Sequence, residues 1–170
     1  MIIEALLNFS QSTGVSGFMN SVWGWPIAES VHFSGMCLLI GTVGVFDLRM
    51  LGIGKGIPMS ALHKLVPFGI AGFILNVISG TMFFTTAPDQ YLYNPAFQTK
   101  MVFMFAAGLN MLVFYRVAME QVKATSPEFK APSKAIVMGT VSLVCWATII
   151  ICGRLITYYR PPYHWCIWCT

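Results

Sequence analysis

The sequence predicts an all-α membrane protein, a bundle of four transmembrane helices with both termini outside and a short N-terminal interfacial helix. Three observations predict it. Of the 170 residues, 56% are hydrophobic and only 9% are charged, whereas soluble domains carry roughly 25% charged residues. Four apolar stretches reach the length of about 20 residues that a helix needs to cross a bilayer. Basic residues gather in two of the connecting loops, which is the asymmetry that orients a multi-pass chain. The same arithmetic excludes a disordered chain, which needs low hydrophobicity and high charge. The net charge of +4 comes from ten scattered Lys and Arg residues, so a nucleic-acid partner is excluded as well.

The chain begins with a segment, 1–22, that does not read as a cleavable signal peptide. It lacks a basic n-region and an Ala-x-Ala-like site, and its apolar run is short. Ile2, Ile3, Leu6, Leu7 and Phe9 spread over one side of a short helix, as in a segment lying in the plane of the outer leaflet. The spans follow at 26–46, 67–86, 97–115 and 135–158. Pro26 suits a first helical turn, where its missing N–H costs nothing. Gly52, Gly54, Gly56 and Pro58 break the chain after the first span. Pro88 and Pro95 bracket the next loop, Pro127 and Pro132 the one after, and Pro161-Pro162 stops the fourth span. Residues 159–170 form a tail. No loop is long enough for a second domain, so 1–170 reads as one integral membrane domain.

Orientation follows from Arg49, Lys55 and Lys64 in one loop and Arg116, Lys123, Lys130 and Lys134 in another. By the positive-inside rule these loops are cytoplasmic, and the termini lie outside. Trp23, Trp25, Tyr91, Tyr93, Tyr158 and Tyr159 then form an outer aromatic belt. In a bacterium this is a multi-pass protein of the inner membrane with a periplasmic tail.

Ionisable groups inside a span are expensive, and function is their default explanation. At about 1.5 Å per residue, Glu29 and His32 lie roughly 13 and 9 Å outward of a first-span centre near Leu38. By the same measure Arg154 falls about 12 Å and Lys100 about 15 Å outward on their own spans. Four ionisable groups from three helices thus share one layer. Glu29, His32 and Met36 also share one helix face. One reading pairs Glu29 with Arg154 or Lys100 to neutralise buried charge. The other is a binding site, in which His32 ligates a haem b iron and the cations meet its propionates or another anionic head group. His63 lies at the opposite end of the bundle; His164 in the tail and Met36 are the remaining candidates for a second ligand. Asn76 and Asn110, near mid-span, are expected to hydrogen-bond to each other. Asp47 is expected to pair with Arg49, Arg116 or His63. The span glycines permit close helix approach or admit a flat cofactor.

Cys37, Cys145 and Cys152 read as small packing residues. The tail sequence His164-Trp165-Cys166-Ile167-Trp168-Cys169 offers either a disulfide or three soft ligands for copper or zinc. It is not a c-type haem attachment, which places histidine directly after the second cysteine.

The run Trp25-Pro26-x-x-Glu29-x-x-His32-x-x-Gly35-Met36-x-Leu38-Leu39-x-Gly41, followed by Asp47-Leu48-Arg49, resembles a group of uncharacterised bacterial four-helix membrane proteins. Phe97-x-x-Lys100 is similar to the broader copper-resistance D-like and haem-b membrane families. The first resemblance covers most of spans one to three; the second is distant. For His32 it implies a haem or metal ligand, and for Lys100 a cation beside a cofactor or quinone. A bis-histidine pattern within the spans is missing.

Three functions follow as expectations. The first is an electron-transfer subunit holding haem b or a quinone head group among Glu29, His32, Met36, Lys100 and Arg154. The second is a non-catalytic accessory or scaffold subunit, with other membrane subunits or copies of itself as partners. The third is copper or zinc handling through His32, His164, Cys166 and Cys169. Stand-alone catalysis is not expected, since no nucleophile–base pair, H-E-x-x-H, P-loop or dinucleotide fingerprint occurs.

Overall fold

The computed structural model describes residues 1–124 and 131–159, and among these every regular element is helical. In chain order they are α1 (Ile2–Ser12), α2 (Val15–Met19), α3 (Gly24–Met50), α4 (Met59–His63), α5 (Val66–Thr86), α6 (Pro88–Leu92), α7 (Pro95–Val117), α8 (Met119–Ala124) and α9 (Ser133–Leu155). A 3-10 turn, Ile156–Tyr159, continues the last helix. Helix α3, the α4–α5 segment, α7, and α9 with its turn are each long and apolar enough to cross a membrane. Their outward side chains include Phe33, Phe68, Ile74, Val102, Phe105 and Val144. Apolar area of that extent needs lipid to cover it.

The spans match the expected stretches, with longer ends. Helix α3 begins at Gly24, so Pro26 is its third residue. That position is still one of the four whose N–H has no partner inside the helix. At its far end α3 runs to Met50 rather than Phe46. The chain then turns through Gly52, Gly54 and Gly56 at φ of 93°, 73° and 98°. A Cβ is strained there, so three glycines in a row of alternate positions make the stop.

The helices pack as two close pairs, α3 with α5 and α7 with α9, and α3 also packs on α9 to join them. Helices α5 and α7 make at most a marginal contact, which leaves a cleft between the pairs. Glycines set the first pair. A Cβ on Gly72 would lie 2.6 Å from the Gly35 carbonyl oxygen, and one on Gly35 would lie 2.9 Å from the Gly72 carbonyl oxygen. The backbones cross with no room for a side chain, as small residues allow in membranes. Gly41 has open space beside it instead, and a Cβ on Gly44 would meet only the Ile40 side chain of its own helix, at 4.0 Å.

The expected Asn76–Asn110 bond is not formed. Asn76 donates to Gly72 O of its own helix at 2.9 Å, and Asn110 donates to Met138 O of α9 at 2.9 Å. The reason is pairing: Asn76 faces the α3 crossing, where its amide lies against Gly35, and Asn110 faces α9.

One end of the bundle is closed by α1, α2 and α6. Helix α1 forms as expected and rests on α5 and α6, with Ser10 and Thr86 hydroxyls 3.5 Å apart. Met19, Ala28, Phe83, Tyr91, Ala96 and Ile156 make the buried cluster there. The other end is sealed by Met50, Met59, Leu62, Phe114, Val122 and Ala135, among others.

Candidate functional site

His32 stands on α3 one helix turn from the Gly35–Gly72 crossing, and it turns toward α5. Its Nδ1 lies 2.8 Å from Ser79 Oγ. The Ser79 hydroxyl has one proton, which it donates to Leu75 O of its own helix at 2.6 Å. Serines inside helices make this back-bond readily. Ser79 Oγ is therefore the acceptor and Nδ1–H the donor, and in the neutral imidazole this leaves the lone pair on Nε2. Ser79 is itself only 1% exposed, so the arrangement is shielded from competing water.

The ring is held on two more sides. Phe83 meets it edge-on, with centroids 5.7 Å apart, and Trp25 stacks on Phe83 at 5.2 Å. Gly80 brings the α5 backbone close, since a Cβ there would lie 3.8 Å from His32 Cε1.

Lys100 comes to the same end from α7. Its position depends on Asn94, which caps α7 and which the sequence reading passed over. Asn94 is fully buried. Its Oδ1 accepts from Ala96 N and Phe97 N at 3.1 and 3.3 Å. Its Nδ2 donates to Ile156 O and Tyr159 O at 3.0 and 3.3 Å, tying the start of α7 to the end of α9. The Asn-Pro pair at 94–95 was the available signal for the cap, though not for the tie. With the two helices so joined, Lys100 Nζ lies against Gly153, 3.7 Å from where a Cβ would sit. Lys100 is half-buried and within electrostatic reach of His32. Phe97, one turn before it, stacks on Phe84 at 5.5 Å and meets Tyr91 at 5.4 Å.

The rest of the expected layer separates. Glu29 and Arg154 are exposed on the outside of the bundle, and among the described residues the Glu29 carboxylate forms no ion pair with Arg154 or Lys100. The helical rotation that turns His32 toward α5 leaves Glu29 facing outward, because neighbours three apart differ by about 60° around the axis. Met36 is half-buried on the His32 face. His164, Cys166 and Cys169 lie outside the described residues. Among the described residues no three His, Cys, Asp or Glu side chains gather into a metal site.

Asp47 also departs from expectation. It is 3% exposed, and its side-chain hydrogen-bonding neighbour is Ser142 of α9 rather than Arg49, Arg116 or His63. Arg49 instead reaches back to Ile57 O at 2.9 Å, fastening the glycine turn. The extra turn of α3 carries Asp47 into the bundle, where the sequence alone had put it at the rim.

The site thus combines an imidazole of defined tautomer with a half-buried cation at one closed end of a helical bundle. No protein-family model, curated protein or solved structure matches this chain.

Proposed function

We propose that the protein is a membrane-embedded electron-transfer subunit that binds haem b or a quinone head group at the His32–Lys100 end. The observation that carries this reading is the His32–Ser79 hydrogen bond, which holds the ring and leaves Nε2 as a lone-pair donor. Ligating histidines are oriented in this way by an acceptor on the other ring nitrogen. His32 would hold a haem through its one free imidazole nitrogen, and the Lys100 ammonium would pair with an anionic group of it. The same residues would suit a quinol head, for which Nε2 would accept an O–H and the ammonium would donate to a ring oxygen. Either group, when bound, supplies the one-electron chemistry. The chain would bind it and orient it, with Phe83 and Trp25 packed beside the imidazole. In this reading the His32 end is the outer half of a bacterial inner membrane, with both termini outside.

The test is an oxidised-minus-reduced spectrum of the purified protein, with a haemochrome assay and quinone extraction on the same sample. The expected result is about one b-type haem per chain, or a co-purified quinone, and its loss in His32→Ala. Neither group in native-membrane protein, or a signal indifferent to His32→Ala, overturns the reading.

A second reading, an accessory subunit of a larger membrane complex, is favoured by Glu29 and Arg154 on the bundle exterior. Charges at that depth call for partners. It predicts stoichiometric co-purification from native membranes that Glu29→Ala weakens.

A further inference from the structure

Between the two helix pairs, from the middle of the bundle toward the end away from His32, lies a cavity of about 220 Å³. Its walls are apolar and aromatic, with Leu39, Phe46, Phe73, Phe114 and Trp146 among them. Asp47 lines it too, and Oδ2 of this 3%-exposed residue is buried without a hydrogen-bond partner. Ser142 stands beside the carboxyl from α9. Helices α5 and α7, which line the opposite side through Ile70, Phe73 and Met111, scarcely touch each other. The cavity therefore opens sideways, toward the layer that covers the apolar exterior.

We propose that this cavity is a binding site for a hydroxylated aromatic ring lipid of the quinol class, whose O–H satisfies Asp47 Oδ2 and whose tail leaves between α5 and α7. Each feature bears on the class of ligand. An orphaned oxygen in a dry site costs stability, and such groups in native proteins call for an explanation. A ligand that brings a donor supplies one. Asp47 and Ser142 stand together in a lining that is mostly apolar, which suits a molecule with one polar edge and an apolar body. The volume holds a one- or two-ring head but no phospholipid head with its glycerol, so the rest of the molecule lies outside. A lateral opening admits a ligand dissolved in the bilayer. The site is separate from His32 and stands or falls without it.

The probe is an azido derivative of 2-heptyl-1-naphthol, photo-crosslinked to the full chain in nanodiscs and mapped by peptide mass spectrometry. Competitors are 2-heptyl-1-naphthol and its methyl ether, which lacks the donor. The expected labels fall on α3, α7 and α9 around Asp47, Met104–Phe114 and Ser142. The naphthol should compete about tenfold better than the ether, as one buried hydrogen bond implies. Asp47→Leu should erase that preference while raising the melting temperature of the ligand-free protein, because it removes the orphaned oxygen. Gly108→Leu is the variant that decides if Asp47→Leu fails to fold. Gly108 lines the cavity and a Cβ there meets nothing within 4 Å, so the larger side chain should block labelling without unfolding the bundle. Equal competition by naphthol and ether would mean occupancy by any apolar chain, and would overturn the proposal. So would labelling that survives both variants, or that disappears in His32→Ala alone.

Discussion

A single hydroxyl at position 79 decides which nitrogen of His32 is available. Its proton goes to the Leu75 carbonyl of its own helix, which leaves its oxygen to accept from Nδ1. The prediction at this scale needs no cofactor. In protein labelled with ¹⁵N-histidine, His32 should show a protonated Nδ1 and an unprotonated Nε2 at neutral pH. Ser79→Ala should abolish that bias, since the acceptor is gone, while the helix stays intact because alanine is the best helix former. Where haem or quinone is bound, the same substitution should weaken it about 10- to 100-fold, the usual cost of losing an orienting partner. An unchanged tautomer ratio in Ser79→Ala would remove the hydroxyl from this role. The sequence showed His32 as a candidate. It could not show Ser79, because 47 residues separate them and neither helix has a polar stripe to mark the face.

Among the elements, the register of α7 against α9 rests on Asn94. One side chain caps the first helix through Oδ1 and holds the last turn of the other through Nδ2. Asn94→Ala should lower stability by about 1–2 kcal/mol for the cap alone, with a further loss for two carbonyls left without their donor. Asn94→Asp keeps the acceptor and loses the donor, so it should recover only the cap. Thermal unfolding in detergent measures both, and equal melting temperatures for the two variants would sink the tie between α7 and α9. Helix ends were legible here: prolines, the glycine turn and the apolar lengths place each span to within a few residues of its limits. Helix faces were not. Each span is apolar around its whole circumference, with exposed Phe33, Phe68 and Phe105 beside buried Ala28, Phe83 and Ala107. Periodicity then carries little information about which side meets a neighbour. That is why Glu29, placed by its depth among the ion-pair or binding-site candidates, faces outward, and why Asp47 faces inward.

At the scale of the molecule, the two helix pairs place His32 and Lys100 at one end and the Asp47 cavity nearer the other. The orientation proposed for that axis rests on the basic loops, and it has its own test. In a cysteine-free background, Tyr93→Cys, an exposed position between α6 and α7, should react with a membrane-impermeant maleimide in intact cells. Lys55→Cys, in the glycine turn, should react only after permeabilisation. The reverse pattern would invert the assignment of the His32 end to the outer half, and would leave the fold untouched.

Depth along each span, the stops between spans and the charge balance of the loops were determined by the sequence itself, because they depend on composition and distance along one helix. They suffice to bring His32 and Lys100 to the same layer. Rotation of each helix and the choice of partner were decided only in the tertiary structure. In an apolar surrounding there is no polar face to turn outward, so glycine contacts and a few buried hydrogen bonds set the rotation. Gly35 against Gly72 directs His32 to Ser79, and the Asn94 tie brings Lys100 to Gly153. The gap between α5 and α7, which no single helix encodes, leaves Asp47 at the edge of a cavity.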